Sequence, residues 1–237
     1  MRCCWLFTLP PLLLLTLAGC ASVANPDPQD PYEGFNRAMF EIHESIDQAV
    51  LKPAAKAYEA ATPLPVRAGV DNFFSNAGDL MTGVNNGLQG KPTSVLTDFA
   101  RLLINSTLGI FGLFDVASEM GLTKQEEDFG QTLARWGVGE GAYLFLPFFG
   151  PRTLRDGAGL IVDIATRPLS PLLTTDEAIA SGALQALNIR AKLFSAENVM
   201  ETAATDKYAY LRSAYLQRRK SQVYDGNPPR PKYENFE

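Results

Sequence analysis

Residues 66–88 read VRAGVDNFFSNAGDLMTGVNNGL. Val66, Val70, Phe73, Ala77, Leu80/Met81, Val84 and Leu88 recur at spacings of three and four, which puts them on one face of a helix. Pro63 and Pro65 stand at its start, where a missing amide donor costs a helix little, and the pattern stops between Gly87 and Pro92. Toward the N-terminus, Phe35, Met39, Ile42, Ile46 and Ala49/Val50 form a second apolar face, on a helix predicted to end before Pro53. Toward the C-terminus, Val95, Leu96, Phe99, Leu102, Leu103 and Ile104 predict a helix from about Thr93 to Leu108. Further helices are expected over Glu126–Trp136, Arg152–Ala165, Asp176–Ala203 and Asp206–Gln222. Few stretches alternate with period two, so neither a β-meander nor a βαβ unit is expected. The predicted class is all-α, in one domain over residues 32–222.

Two stretches do not read as ordinary soluble helix. Residues 108–122, LGIFGLFDVASEMGL, mix large apolar side chains with Gly109, Gly112 and Gly121. Residues 136–150, WGVGEGAYLFLPFFG, place Gly137, Gly139 and Gly141 alternately before an aromatic run around Pro147. Each glycine weakens a helix by about 1 kcal/mol relative to alanine, so this spacing predicts a bend. The neighbouring apolar residues need a core, a partner or a bilayer to cover them. Neither run is long enough to cross a membrane. The open alternatives are core packing and an apolar wedge lying in one leaflet.

The N-terminus reads as a targeting segment. Arg2 is followed by a nearly continuous apolar run from Trp5 to Ala18, too short to span a bilayer and suited to a signal-peptide core. The run ends in Leu17-Ala18-Gly19-Cys20, which resembles the bacterial lipobox, with Cys20 as the lipidated residue. Residues 1–19 are therefore expected to be a lipoprotein signal peptide and 20–31 a lipidated tether rich in Ala, Asn, Asp and Pro. Ala21, where aspartate would retain an enteric lipoprotein in the inner membrane, favours the outer membrane.

Removing 19 of 237 residues leaves 218, enough for a sizeable core, and takes the formal charge from −5 to −6 because Arg2 is lost. An acidic domain argues against general nucleic-acid binding. The exception is the basic C-terminal stretch carrying Lys207, Arg212, Arg218, Arg219, Lys220, Arg230 and Lys232. It reads either as a solvated helix face or as a contact for acidic headgroups or an acidic partner. Residues 223–237 are proline-rich and charged and are expected to be a disordered tail. Cys3 and Cys4 leave with the signal peptide, so no disulfide is expected.

No enzyme signature emerges. His43 is the single histidine, beside Glu44 and Asp47 on a helix, and no G-x-S-x-G elbow accompanies it. No Cys/His cluster suggests zinc, no cofactor is expected, and the G-x-G-x-G run at 137 does not open a phosphate-binding helix.

Several blocks together carry a family resemblance: DPYEGFNRAMF at 30–40, NFFSN at 72–76, NNGLQGK at 85–91, FARLLINSTLGIFGLFDVA at 99–117, EDFGQTLARWGVGEGAYLFLPFFGPRTLRDGAG at 127–159 and AYLQRR at 214–219. The chain resembles the MlaA (VacJ) family of outer-membrane phospholipid-binding lipoproteins over nearly all of its mature length. That resemblance implies a ring-like helical domain in the inner leaflet of the outer membrane, pierced by an amphipathic channel. It implies removal of mislocalised phospholipid from the outer leaflet, transfer to a periplasmic carrier protein, and association with trimeric porins. On that reading Gly137, Gly139 and Gly141 form a hinge beside the channel. Phe111, Leu113, Phe114, Leu144, Phe145, Leu146, Phe148 and Phe149 are expected to face lipid or form the channel lip, with core packing as the alternative. Trp136 and Tyr143 are candidates for the headgroup level. Arg135, Arg152 and Arg155 are candidate headgroup contacts, since a guanidinium can grip phosphate with two parallel bonds. Asp115 and Asp156 either line the channel or pair with those cations. The competing expectation is a lipid-anchored adaptor bound to porins with no lipid path of its own.

Overall fold

The computed structural model describes residues 27–229. The signal peptide, Cys20, most of the tether and residues 230–237 lie outside the described residues. The chain is helical apart from one hairpin, which fits the expected all-α class. Helix α1 (Glu33–Ile46) runs through a π turn (Asp47–Leu51) into α2 (Lys52–Ala61). The helix was expected to stop before Pro53. It continues because the π turn shifts the backbone bonding to i→i+5, with Lys52 N–H reaching Asp47 O, just before the residue that has no N–H to offer.

Helices α3 (Leu64–Leu88) and α4 (Pro92–Thr107) form an antiparallel pair joined by a tight turn at Gly90. They approach closely where Gly83 meets the Phe99 ring; a Cβ there would lie 3.2 Å from it. Short helices follow, α5 (Val116–Glu119) and α6 (Phe129–Arg135), and then a hairpin of β1 (Tyr143–Leu146) and β2 (Gly150–Thr153). Next come α7 (Leu154–Ala165), a single 3₁₀ turn (Ser170–Leu172), α8 (Thr175–Lys192), α9 (Phe194–Ala203) and α10 (Lys207–Val223). Five starts are set by side chains that accept an orphan amide: Asp115, Asp128, Thr153, Asp206, and Thr174, which forms a reciprocal capping box with Glu177. The single helix expected over Asp176–Ala203 is two helices, broken at Leu193. The tail begins in order: Asp225 turns back to an ion pair with Lys91.

The packing is inverted relative to a soluble bundle. The buried residues of α3 are Asn76, Asp79, Thr82, Gly83, Asn85 and Asn86, and those of α4 are Asp98, Arg101 and Asn105. Of their large apolar side chains, Leu64, Val66, Val84, Leu88, Leu96 and Leu103 are exposed, and the others, Phe73, Phe99 and Leu102 among them, are half-buried. Burying polar groups is tolerable only when they bond one another. Here Asn86 donates to Asp98 at 2.7 Å, Thr132 to Asn85 at 2.7 Å and Gln89 to Glu127 at 2.9 Å. Arg101 bridges Asp115 through both carboxylate oxygens and lies 3.5 Å from Asp79.

The apolar core is a small aromatic cluster: Tyr143, Phe145 and Tyr208, with Met39, Phe40, Leu211, Tyr215 and Leu216 against it. Phe40 meets Phe145 edge to face at 5.5 Å. Asn36 ties α1 to β1 much as a neighbouring strand would, donating to Tyr143 O at 3.0 Å and accepting from Phe145 N–H at 2.9 Å.

Candidate functional site

A partly open cavity of about 730 Å³ occupies the interior between α3, α7, α8 and α10. α3 contributes Asp71, Phe74, Ser75, Gly78, Met81 and Thr82. The segment before α6 contributes Lys124 to Asp128, and α8 contributes Ser181, Gln185, Asn188, Ile189 and Lys192. Arg152 from β2, Asp163 from α7, Arg167 to Ser170, and Tyr215, Arg218 and Arg219 from α10 complete the wall. A second hollow of about 740 Å³, bounded by Lys91, Ser221 and Asp225, shares the stretch Lys124–Glu127 with the first. The wall mixes apolar side chains with ionised ones. Such a lining suits a molecule with both kinds of surface.

The charges are set by close pairing. Lys124 donates to Ser75 O at 2.9 Å and closes an ion pair on buried Asp79. Burial nevertheless pushes the Asp79 carboxyl above its usual range. Arg219 holds Asp128 at 2.6 Å and Asp156 at 2.8 Å, and Tyr215 donates to Asp156 at 2.7 Å. Burial alone would raise Asp156, but the Arg219 bond and charge outweigh it and hold the carboxyl at about 2. Asp163 accepts the Phe129 amide at 3.1 Å, and burial raises it. Among the described residues no group of His, Cys, Asp or Glu has the arrangement of a metal site.

The candidate residues fall into distinct places. Of Arg135, Arg152 and Arg155, only Arg152 lines the cavity. Arg155 is buried away from the cavity wall and its Nε donates to Asp156 at 3.1 Å, which corrects its expected headgroup contact. Arg135 is exposed at the end of α6. Asp115 and Asp156 pair rather than stand free. Phe145 is fully buried in the aromatic core, which corrects its lipid-facing assignment, and Tyr143 beside it is likewise core. The alternation of β1 explains the split. Tyr143 and Phe145 point to the core, while half-buried Leu144 and Leu146 share the opposite face with Arg152, the register partner of Leu144. Phe111, Leu113, Phe114, Phe148 and Phe149 are exposed. Trp136 is exposed too, with its indole N–H on Leu88 O at 3.1 Å. Gly137, Gly139 and Gly141 lie exposed between α6 and β1, and none lines the cavity. Gly137 and Gly141 have φ of 91° and 67°, which a side chain would strain. His43 is structural: it accepts the Phe148 amide at 3.3 Å and meets the Phe145 ring edge-on.

Sequence reasoning missed the hairpin and the wall residues Lys124, Asp163 and Arg167, and named Arg218 and Arg219 only as part of a basic stretch. The polar stripe Asn76, Asp79, Thr82/Gly83 and Asn86, at the same helical spacing as the apolar one, was the available signal.

The family model for the MlaA lipoprotein matches residues 28–222. The chain belongs to the MlaA lipoprotein family. The intermembrane phospholipid transport system lipoprotein MlaA of Escherichia coli (strain K12) is 36% identical over 209 residues, covering 85% of this chain and 82% of that one. The protein of the same description from Haemophilus influenzae is 32% identical over 226 residues, covering 91% and 89%. A solved structure reported as the structural basis for maintenance of bacterial outer membrane lipid asymmetry superposes with a TM-score of 0.71 at 35% identity, covering 84% of this chain and 99% of that one. The inverted packing and amphipathic cavity are thus found in a member of the MlaA family.

Proposed function

We propose that this chain is an outer-membrane lipoprotein of an intermembrane phospholipid transport system, acting to maintain lipid asymmetry. In the finer form of the reading, the domain lies in the inner leaflet, anchored through Cys20. Phospholipid from the outer leaflet enters the cavity and leaves toward a periplasmic carrier protein, with trimeric porins as neighbours in the membrane. The observation that carries this reading is the inversion of α3 and α4. Polar side chains are buried and bonded inside, while Leu64, Val66, Leu96 and Leu103 are turned out. Such a surface is costly in water and favourable in hydrocarbon. The exposed Ile110, Phe111 and Phe114 and the hairpin tip Phe148 and Phe149 extend the same surface. A cavity of mixed lining behind it offers both apolar and charged side chains to a lipid. The glycine segment Gly137–Gly141 joins α6 to the hairpin and serves as the hinge by which the cavity mouth varies.

The test is phospholipid in the outer leaflet of cells with and without the protein, scored by an outer-leaflet acyltransferase. Deletion should raise it, wild type should restore it, and Gly139→Val should restore it only in part. A Cβ at Gly139 meets nothing within 4 Å, so a loss of function at wild-type protein level and unfolding temperature reports on the hinge. Unchanged outer-leaflet phospholipid on deletion would leave the porin-bound adaptor as the better account.

A further inference from the structure

The cavity wall carries more cationic charge than its own carboxylates engage. Six basic side chains line it: Lys124, Arg152, Arg167, Lys192, Arg218 and Arg219. Four are matched by acids, Lys124 by Asp79, Lys192 by Asp71 at 2.8 Å, Arg218 by Glu126 at 3.1 Å, and Arg219 by Asp128 and Asp156. Arg152 and Arg167 have no carboxylate within ion-pair distance among the described residues. Outside the cavity, Arg37, Arg67, Arg101, Arg155, Arg190 and Arg212 sit on carboxylates, while Arg135, exposed at the end of α6, makes no ion pair among the described residues.

Asp163 lies in α7, which ends at Ala165, whereas Arg167 stands exposed beyond the helix end. The Asp163 carboxylate accepts the Phe129 amide and makes no ion pair among the described residues. Arg152 acts electrostatically on both Asp163 and Tyr215, which puts its charge beside α7 and α10. Its backbone is fixed by pairing with Leu144, whose strand is tied to α1 through Asn36. Among the described residues, the one side-chain hydrogen bond of Arg152 is to the carbonyl of Pro151, at 3.3 Å. The same cavity offers Phe74, Met81, Leu169, Leu173 and Ile189 to apolar chains.

We propose that Arg152 and Arg167 form the seat for the phosphodiester of a glycerophospholipid inside the cavity, an inference that rests on the cavity being a lipid path. Two guanidiniums without internal partners can each give a phosphate a charge-assisted pair of hydrogen bonds, which a neutral diacylglycerol cannot receive. The seat reads the phosphate, which every glycerophospholipid carries, and so leaves the group beyond it unselected.

The test uses the full lipidated protein in detergent and three soluble probes with the same tails. These are dihexanoylphosphatidylglycerol, dihexanoylphosphatidylethanolamine and dihexanoylglycerol, with binding followed by calorimetry. Wild type should bind both phospholipids at least about tenfold more tightly than the phosphate-free probe. The double variant Arg152→Gln/Arg167→Gln should lose that difference while still binding dihexanoylglycerol as wild type does. Arg135→Gln, outside the cavity, should keep it. Retained binding of the phosphate-free probe shows that the double variant is folded. The seat is overturned if wild type does not distinguish the probes by their phosphate, or if the double variant still does. Failure of all three probes to bind wild type would instead overturn the lipid-path reading, and the seat with it.

Discussion

Arg219 is the side chain on which most of the interior electrostatics converges. Its side chain is 7% exposed and it bridges Asp128 from the α6 cap and Asp156 from the first turn of α7. Removing one partner of a buried pair leaves a charge uncompensated, at a cost of about 3–5 kcal/mol. Arg219→Gln should therefore lower the midpoint of denaturant unfolding in detergent at neutral pH by that order, whereas Arg218→Gln, on an exposed pair, should change it by less than about 1 kcal/mol. The acid response has a definite sign. Asp156 is held at about 2, below its unfolded value near 3.9, so the stability it contributes is present above about pH 4 and is lost as pH falls toward 2. That contribution is about 2–3 kcal/mol. Asp79, Asp98 and Asp163 are raised by burial and act in the opposite sense, being less costly to bury once protonated. Unfolding measured between pH 5 and pH 3 should show wild type losing stability faster than Arg219→Gln. Equal slopes would mean that Arg219 does not set the Asp156 proton affinity.

At the element scale, the crossing of α6 and α7 leaves no room for a side chain. A Cβ on Gly159 would lie 2.5 Å from the backbone nitrogen of Gly130, and one on Gly130 would meet the Arg219 guanidinium at 2.5 Å. Backbone cannot yield as a flexible side chain can, so Gly159→Ala should cost at least about 2 kcal/mol and displace Arg219. Gly139→Ala, in open space, should lie within about 1 kcal/mol of wild type. Thermal unfolding of the two variants side by side checks this, and equal losses would refute the close-packed crossing. The sequence quoted both glycines inside the long 127–159 block without separating a packing glycine from a turn glycine, because that difference lies in what stands opposite. Helices were legible from period; their starts were placed up to three residues off because the caps Asp128, Thr153 and Thr174, each one residue before an observed start, went unread. The hairpin was not, because Tyr143–Leu146 is a continuous apolar run. Its alternation is one of partners, core on one side and the Arg152 face on the other, and apolarity does not encode that.

At the scale of the whole molecule the question is which way the amphipathic faces turn. Periodicity identifies a face but not its direction, so the apolar line through Val66, Val84 and Leu88 gave no sign that it points outward. The structure supplies that sign, and it has a consequence for the anchor. Among the described residues no helix is long and apolar enough to cross a membrane. On the proposed reading, the exposed apolar side chains are covered within one leaflet, as in an interfacial protein. Phe111 and Phe148 are 77% and 72% exposed, and burying such a side chain is worth about 1.5–3 kcal/mol. Several of these together rival the contribution of an acyl chain, at about 0.8 kcal/mol per CH₂. An exported Cys20→Ala form should therefore still float with phospholipid vesicles on a density gradient. In that background each of Phe111→Ser and Phe148→Ser should weaken vesicle partitioning by about tenfold or more. Phe145→Ser, in the aromatic core, should instead lower the unfolding temperature, because it opens the cluster with Phe40 and Tyr208. An unlipidated protein that stays monomeric and free of vesicles would show that the anchor alone holds the domain at the membrane. The outward apolar residues would then have to be covered by protein, which is the surface the adaptor reading needs.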